Sequence, residues 1–224
     1  MLINADFSKR AVVLADEYRW VPSPQGGVER VMLDRIGGEK ARATSIVRYA
    51  KGSYFPAHSH PGGEEILVLS GTFSEDGKDF PAGWYMRSPP GSAHRPSSDE
   101  GAVIFVKLRQ MPSSESKFVR IDTNDPTNWI RRDQGACCAL FSGDAERVTL
   151  ERVQADGRLF PAPVGGAELL VLEGEVREGG YRYGKGSWIR LPAGDYPAFV
   201  AGVAGATFYL KIGAPIVDPA LSEC

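Results

Sequence analysis

The hydrophobic positions of this chain fall in short runs, not in long helical stripes. Glu65-Ile66-Leu67-Val68-Leu69, Ala102-Val103-Ile104-Phe105-Val106 and Ala206-Thr207-Phe208-Tyr209-Leu210 are each a few residues long and rich in β-branched or aromatic side chains. Turn residues separate such runs, and the chain holds 26 glycines and 16 prolines. Short apolar runs at close spacing, punctuated by turn chemistry, predict an all-β sandwich or barrel. No stretch sustains the periodicity of an amphipathic helix, so very little helix is expected.

The pattern also repeats. Residues 65–71 (EILVLSG) recur as 168–174 (ELLVLEG), and the run from Gly83 to Gly91 recurs from Gly186 to Gly194. Gly52 to Ala57 (GSYFPA) returns as Gly157 to Ala162 (GRLFPA), and Trp20 with Gln25-Gly26 returns as Trp129 with Gln134-Gly135. Two copies of one unit explain this. The polar, proline-containing stretch from Met111 to Lys117 reads as the linker, giving expected domains 1–112 and 113–224. The segment before Trp20 is expected to cross onto the other unit. The two copies are expected to pack as an internal pseudo-dimer that buries edge strands, with homodimerisation left open.

Composition narrows the partners. Lys+Arg 26 against Asp+Glu 28 gives a net charge of −2, which is no footprint for nucleic acid or an anionic membrane surface. No apolar run approaches the roughly 20 residues that span a bilayer. The opening residues lack the layout of a secretion signal, so a cytoplasmic location is expected. Adjacent Cys137 and Cys138, with Cys224, make no extracellular disulfide framework. Cys137 and Cys138 are expected to pack inside a strand.

The three histidines fall in one pattern: His58 and His60 flank Ser59, Glu64 follows Pro61-Gly62-Gly63, and His94 comes later. On a strand, residues two apart point to one face, so His58 and His60 converge. A carboxylate from Glu64 and a third imidazole from His94 complete a set of three nitrogens and one oxygen. That set suits zinc or another first-row divalent ion. In the second copy Pro163 stands for the first histidine, Ala167 for Glu64 and Pro197 for His94, and the second histidine is lost in a two-residue deletion. Scaffold glycines, prolines and apolar strand remain, so the second copy is expected to be empty, with one divalent metal per chain. The carboxylate is a choice between Glu64 and Glu65; Glu65 pairs with Glu168 of the metal-free copy and is expected to serve the scaffold, which favours Glu64. Tyr54, Tyr85 and Arg87 are weighed as pocket residues against an ordinary place in strands.

Gly52, His58, His60, Glu64 and Gly71, then Gly83, Pro89, Gly91 and His94, resemble the two motifs of the cupin superfamily, with Ser98 where many members have Asn. The stretch from Trp20 to Leu108 is most similar to the cupin of the ChrR anti-sigma factors. The run from His58 to Gly71 and Phe80-Pro81-Ala82-Gly83 carry much of that similarity. The resemblance implies two tandem jelly-roll barrels with the ligands at the mouth of the first. It also implies a zinc-binding sensor or regulatory module responding to oxidants. The sigma-binding domain of that family carries its own His and Cys zinc site, for which residues 1–20 are too short, so no sigma factor is expected to bind by that route. A second implied reading is an iron dioxygenase cleaving small diketones or hydroxyacetophenones; a third is a metabolite-binding cupin. Zinc leads as the ion, with iron(II), manganese(II) and nickel(II) as alternatives, and a small-molecule ligand or oxidant as the partner.

Overall fold

The computed structural model describes residues 1–38 and 40–215. Cys224 lies outside them. Nearly all the regular structure of the described chain is strand, and its helical elements are two single 3-10 turns, Ala15–Glu17 and Pro126–Asn128. No helix among these residues is long and apolar enough to cross a membrane.

Contacts divide the chain into two compact units. One comprises Met1–Ala5 and Arg19–Asn124; the other comprises Asp6–Tyr18 and Asp125–Pro215. In the first, the main sheet runs Leu2–Ile3, Val28–Ile36, Arg42–Tyr49, Ala102–Leu108, Glu64–Glu75, Trp84–Ser88 and Val119–Asp122, with every neighbour antiparallel. His58–His60 and Ser92–His94 form a separate two-stranded ribbon. The second unit repeats the order through Gly135–Ser142, Glu146–Val153, Phe199–Gly213, Ala167–Glu178, Trp188–Leu191 and Ala11–Val13.

The last strand of each sheet explains why the units are discontinuous. Val119–Asp122 pairs with Trp84–Ser88, and Ala11–Val13 pairs with Trp188–Leu191, at equivalent register. Each therefore leads one copy in sequence and joins the sheet of the other. This moves the division past the Met111–Lys117 linker to Asn124, because strand pairing holds residues 119–122 in the first unit. It also places the segment Asp6–Tyr18 in the second.

Register aligns the copies residue by residue. Arg30, Val47, Ile104 and Val68 lie side by side across four strands of the first sheet. Cys137, Glu151, Phe208 and Val171 form the matching row of the second. Inward residues of the first unit include Val28, Tyr49, Ile66, Val68, Phe73 and Ile104, all nearly inaccessible. Burial of each such aliphatic or aromatic side chain contributes roughly 1.5–3 kcal/mol. The second core packs Phe160, Tyr183, Phe199 and Phe208 together. Cys137 and Cys138 are buried in the strand Gly135–Ser142.

Candidate metal centre

His58 and His94 are opposed partners in the two-stranded ribbon. His60 lies two residues beyond His58 on the same strand, so the alternation of the backbone brings its ring to the same side. The ring centroids of the three imidazoles lie 4.7–5.1 Å apart. One ligand nitrogen from each falls within 4.8 Å of the others, so the group could hold a divalent ion.

The turn after His60 fixes where Glu64 enters. Gly63 adopts a φ of +75° and Gly91 of +83°, conformations that side chains resist. The N–H groups of both glycines donate to the carbonyl of His60, at 3.1 and 2.9 Å. That shared acceptor ties the Pro61–Gly63 turn to the loop before His94. Glu64 Oε2 then stands 3.4 Å from Nε2 of His60 and 3.4 Å from Nε2 of His94, while those two nitrogens are 3.0 Å apart.

These distances test the fit of an ion. A triangle of those sides has a circumradius of about 1.9 Å, so a point slightly off its plane lies at the roughly 2.0–2.2 Å of imidazole and carboxylate ligation. The ligand atoms of His60, His94 and Glu64 therefore have a spacing that a first-row divalent ion can bridge.

Supporting groups orient two of the three rings, those of His58 and His94. His58 Nδ1 donates to the Pro56 carbonyl at 2.8 Å, which leaves its Nε2 as the free ligand atom. His94 Nδ1 donates to Glu75 Oε2 at 2.8 Å. Glu75 Oε1 in turn accepts from Arg120 at 2.6 and 3.1 Å, and Arg120 also donates to Ser88 Oγ at 2.9 Å. Such carboxylate–histidine pairs orient a ligand and raise its basicity. Arg120 arrives on Val119–Asp122, the strand exchanged from the second copy's sequence. Its register counterpart is Val12, yet the counterpart of Glu75, Glu178, is bound by Arg10 at 2.6 Å. An acid–arginine pair at this place thus belongs to both folds; contact with an imidazole belongs to the first.

Electrostatics separate the two buried rings. Burial pushes the pKa of His60 down, against the pull of Glu64. For His94 burial acts in the same sense as the largest single influence. The Glu75 hydrogen bond and the charges of Glu64, Glu75 and Asp76 together outweigh it and raise the pKa. Burial raises Glu75 as well, but His94 and Arg120 more than compensate and leave its carboxyl below the usual value.

A cavity of about 660 Å³ opens beside the four donors. Val28, Val47, Tyr49, Ile104, Val106 and Leu108 give it apolar walls. Burial, followed by the charge of Glu64, pushes the Tyr49 phenol far up, so it stays protonated.

The remaining sequence candidates lie elsewhere. Glu65 forms a buried interstrand pair with Arg87 at 3.1 Å, in keeping with a scaffold role. Arg190 and Glu168 are cross-strand partners at the same place in the second unit. Tyr85 and Arg87 are fully buried on the opposite face from Trp84 and Met86, and Tyr54 is 49% exposed beneath Arg95. None of the three is among the described cavity residues. Ser98, at the place of the motif Asn, donates from its hydroxyl to the Thr72 carbonyl at 2.6 Å. Sequence reasoning missed Glu75, Arg120 and the apolar and basic residues that line the cavity. The repeat aligns Glu75 with Glu178, which was the one available signal.

No curated protein matches the chain at a significant level. Solved structures match it along nearly its whole length at low identity. A candidate dioxygenase from Nostoc punctiforme aligns with a TM-score of 0.69 at 16% identity, covering 99% of this chain and 85% of that one. A bacterial pirin from Escherichia coli in complex with nickel(II) gives 0.65 at 15%, covering 93% and 100%. A candidate glyoxylate-induced protein from Pseudomonas aeruginosa gives 0.69 at 14%, covering 92% and 88%. Likenesses at this identity speak for the fold. Residues 8–112, which hold all four donors, match the family described as the ChrR Cupin-like domain. Motif spacing and this match identify a ChrR-like cupin domain in the first half of the chain.

Proposed function

We propose that this protein is a metal-dependent cupin whose single divalent ion, held by His58, His60, Glu64 and His94, acts on a small organic molecule in the adjoining cavity. The observation that carries this reading is the position of the donors at the wall of a 660 Å³ cavity. A structural site needs no such space, whereas a working centre keeps a position open; with four protein donors, that position requires an ion that takes five or six ligands. When bound, the ion supplies Lewis-acid or oxygen chemistry at that position. The chain's own groups do the rest. Glu75 and the Pro56 carbonyl fix the ligand tautomers, and the apolar walls exclude water. Tyr49 offers a neutral phenol.

Within this reading an iron(II) dioxygenase acting on small diketone or hydroxyacetophenone-type molecules is the activity we favour. The fold neighbours include a protein named as a candidate dioxygenase, which supports the choice. A second reading has its own support. The family match to ChrR-like cupins suits a zinc centre used for sensing. Sensing would then run through the ion, because burial pushes both Cys137 and Cys138 up to about 11, and thiols held so far above neutrality react slowly with oxidants.

Anaerobic reconstitution with iron(II), followed by oxygen uptake over a panel of small diketones and hydroxyacetophenones, tests the proposal. Uptake that depends on iron and is lost in His60→Ala supports it. Zinc in the protein as isolated, with no uptake on any substrate, leaves the sensory reading.

A further inference from the structure

We propose that the cavity of the first unit selects a small organic anion, a carboxylate with an apolar body, and that Arg109 and Arg30 recognise its charge. This rests on the reading of the site as a metal centre that takes a small molecule.

The cavity is apolar in area but one-sided in charge. Of the cations in its described lining, Arg35 is bonded to the Gly38 carbonyl and Lys40 is exposed, which leaves Arg30 and Arg109 facing one carboxylate, Glu64. Glu64 already faces the imidazoles at 3.4 Å. A divalent ion adds further positive charge beside Arg30 and Arg109, and a neutral guest leaves that side positive. Low surrounding dielectric makes such an imbalance costly, and a guest carboxylate relieves it.

Two arginines are placed to meet that guest. Arg30 follows Val28 on one strand and shares its face with the cavity row of Val47 and Ile104. Its Nε is shielded from solvent and has no hydrogen-bond partner within the protein. A buried donor left unsatisfied is costly, and a ligand acceptor removes that cost. Arg109 begins where the strand Ala102–Leu108 ends, with a positive φ of 55°. Its backbone N–H donates to the Gly63 carbonyl at 3.2 Å. A Cβ added to Gly62 would meet Arg109 Cα and Cγ at 2.7 Å. The arginine therefore lies against the turn between His60 and Glu64, and only a glycine there admits it.

The second copy supplies the contrast. By register, Arg30 corresponds to Cys137, Arg109 to Gly213 and Ile104 to Phe208. Both cations vanish where the metal ligands vanish, and an aromatic ring takes up interior space. Two arginines kept only beside the donor set belong to the work of that site, since the shared scaffold stands without them.

The test uses the full chain loaded with zinc and checked for one ion per chain. Calorimetric titration compares 3-phenylpropionate, benzoate and octanoate with their amides. At least one carboxylate should bind tenfold or more tightly than its amide. Arg109→Gln and Arg30→Gln should each cut that preference several-fold while amide binding and metal content stay unchanged. Carboxylate preference untouched by either substitution would overturn the proposal, because the ion alone would then read the anion. Failure of every carboxylate to bind the one-metal protein would overturn it equally. Failure to hold the metal at all would instead sink the metal-centre reading on which it rests.

Discussion

Glu75 Oε2 accepts a hydrogen bond from His94 Nδ1 at 2.8 Å, and this pair sets the direction of the imidazole that closes the donor set. Glu75→Gln keeps the size of the side chain but removes its charge. Supporting groups of this kind typically contribute 10–100-fold to metal affinity. A chelator competition should therefore show weakening in that range, with the fold retained. Unchanged affinity would show that His94 is aimed by its strand alone.

Neighbouring carboxylates in the sequence should behave in opposite ways. Glu65 is 3% exposed and paired with fully buried Arg87. Removing one partner of such a pair strands a buried charge, at a cost of about 3–5 kcal/mol. Glu65→Ala should lower the denaturation midpoint strongly and still bind one ion. Glu64→Ala should melt near the wild-type temperature in the metal-free state but hold the ion weakly. Exchange of these two outcomes would name Glu65 as the ligand.

Acid should release the metal in two stages. Ligation needs neutral imidazoles. His94, with its raised pKa, keeps a proton to higher pH than an ordinary histidine, so protons compete there first. His60, with its lowered pKa, yields only at more acidic pH. Affinity should begin to fall above the usual imidazole value of about 6.5 and collapse below it. For the metal-free protein the signs divide. His94 stabilises the fold below its unfolded pKa and loses that contribution as pH rises through the raised folded value. His60 favours the neutral ring, so its contribution is present above the unfolded pKa and is lost as pH falls through the depressed one. Metal titrations in buffers of differing ionisation heat would count the protons released. Glu75→Gln should move the first stage to lower pH; a single stage at the ordinary histidine value would contradict the assignment.

Space in the first unit can be removed by borrowing a residue from the second. Ile104→Phe installs the residue that register places there as Phe208. Metal content should be retained, and overpacking should cost no more than about 1–3 kcal/mol. Binding of small carboxylates should fall at least tenfold. Undiminished binding would mean that ligands do not enter past Ile104.

Much of this was legible because strands alternate. His58 and His60 sit two apart, and the repeat marks Glu64 as the acid that vanishes with the histidines. Tyr85 and Arg87 were harder to place because both faces of Trp84–Ser88 are buried, so the pattern gives no cue to which side meets the cavity. Arg120 could not be found by spacing. It reaches Glu75 through a strand that belongs by sequence to the second copy and by hydrogen bonding to the first. The arginines of the cavity were likewise hidden, since only register shows that Arg30 shares a row with Ile104.

Elemental analysis of the purified chain, beside His60→Ala and the apoprotein, tests the central claim most directly. One divalent ion per wild-type chain is expected, none in the variant, and a lower melting temperature after chelation, because an ion that binds only the folded state at 100 times its Kd adds about 2.7 kcal/mol. Two ions per chain, or an ion retained without His60, would contradict a single centre built by the first copy.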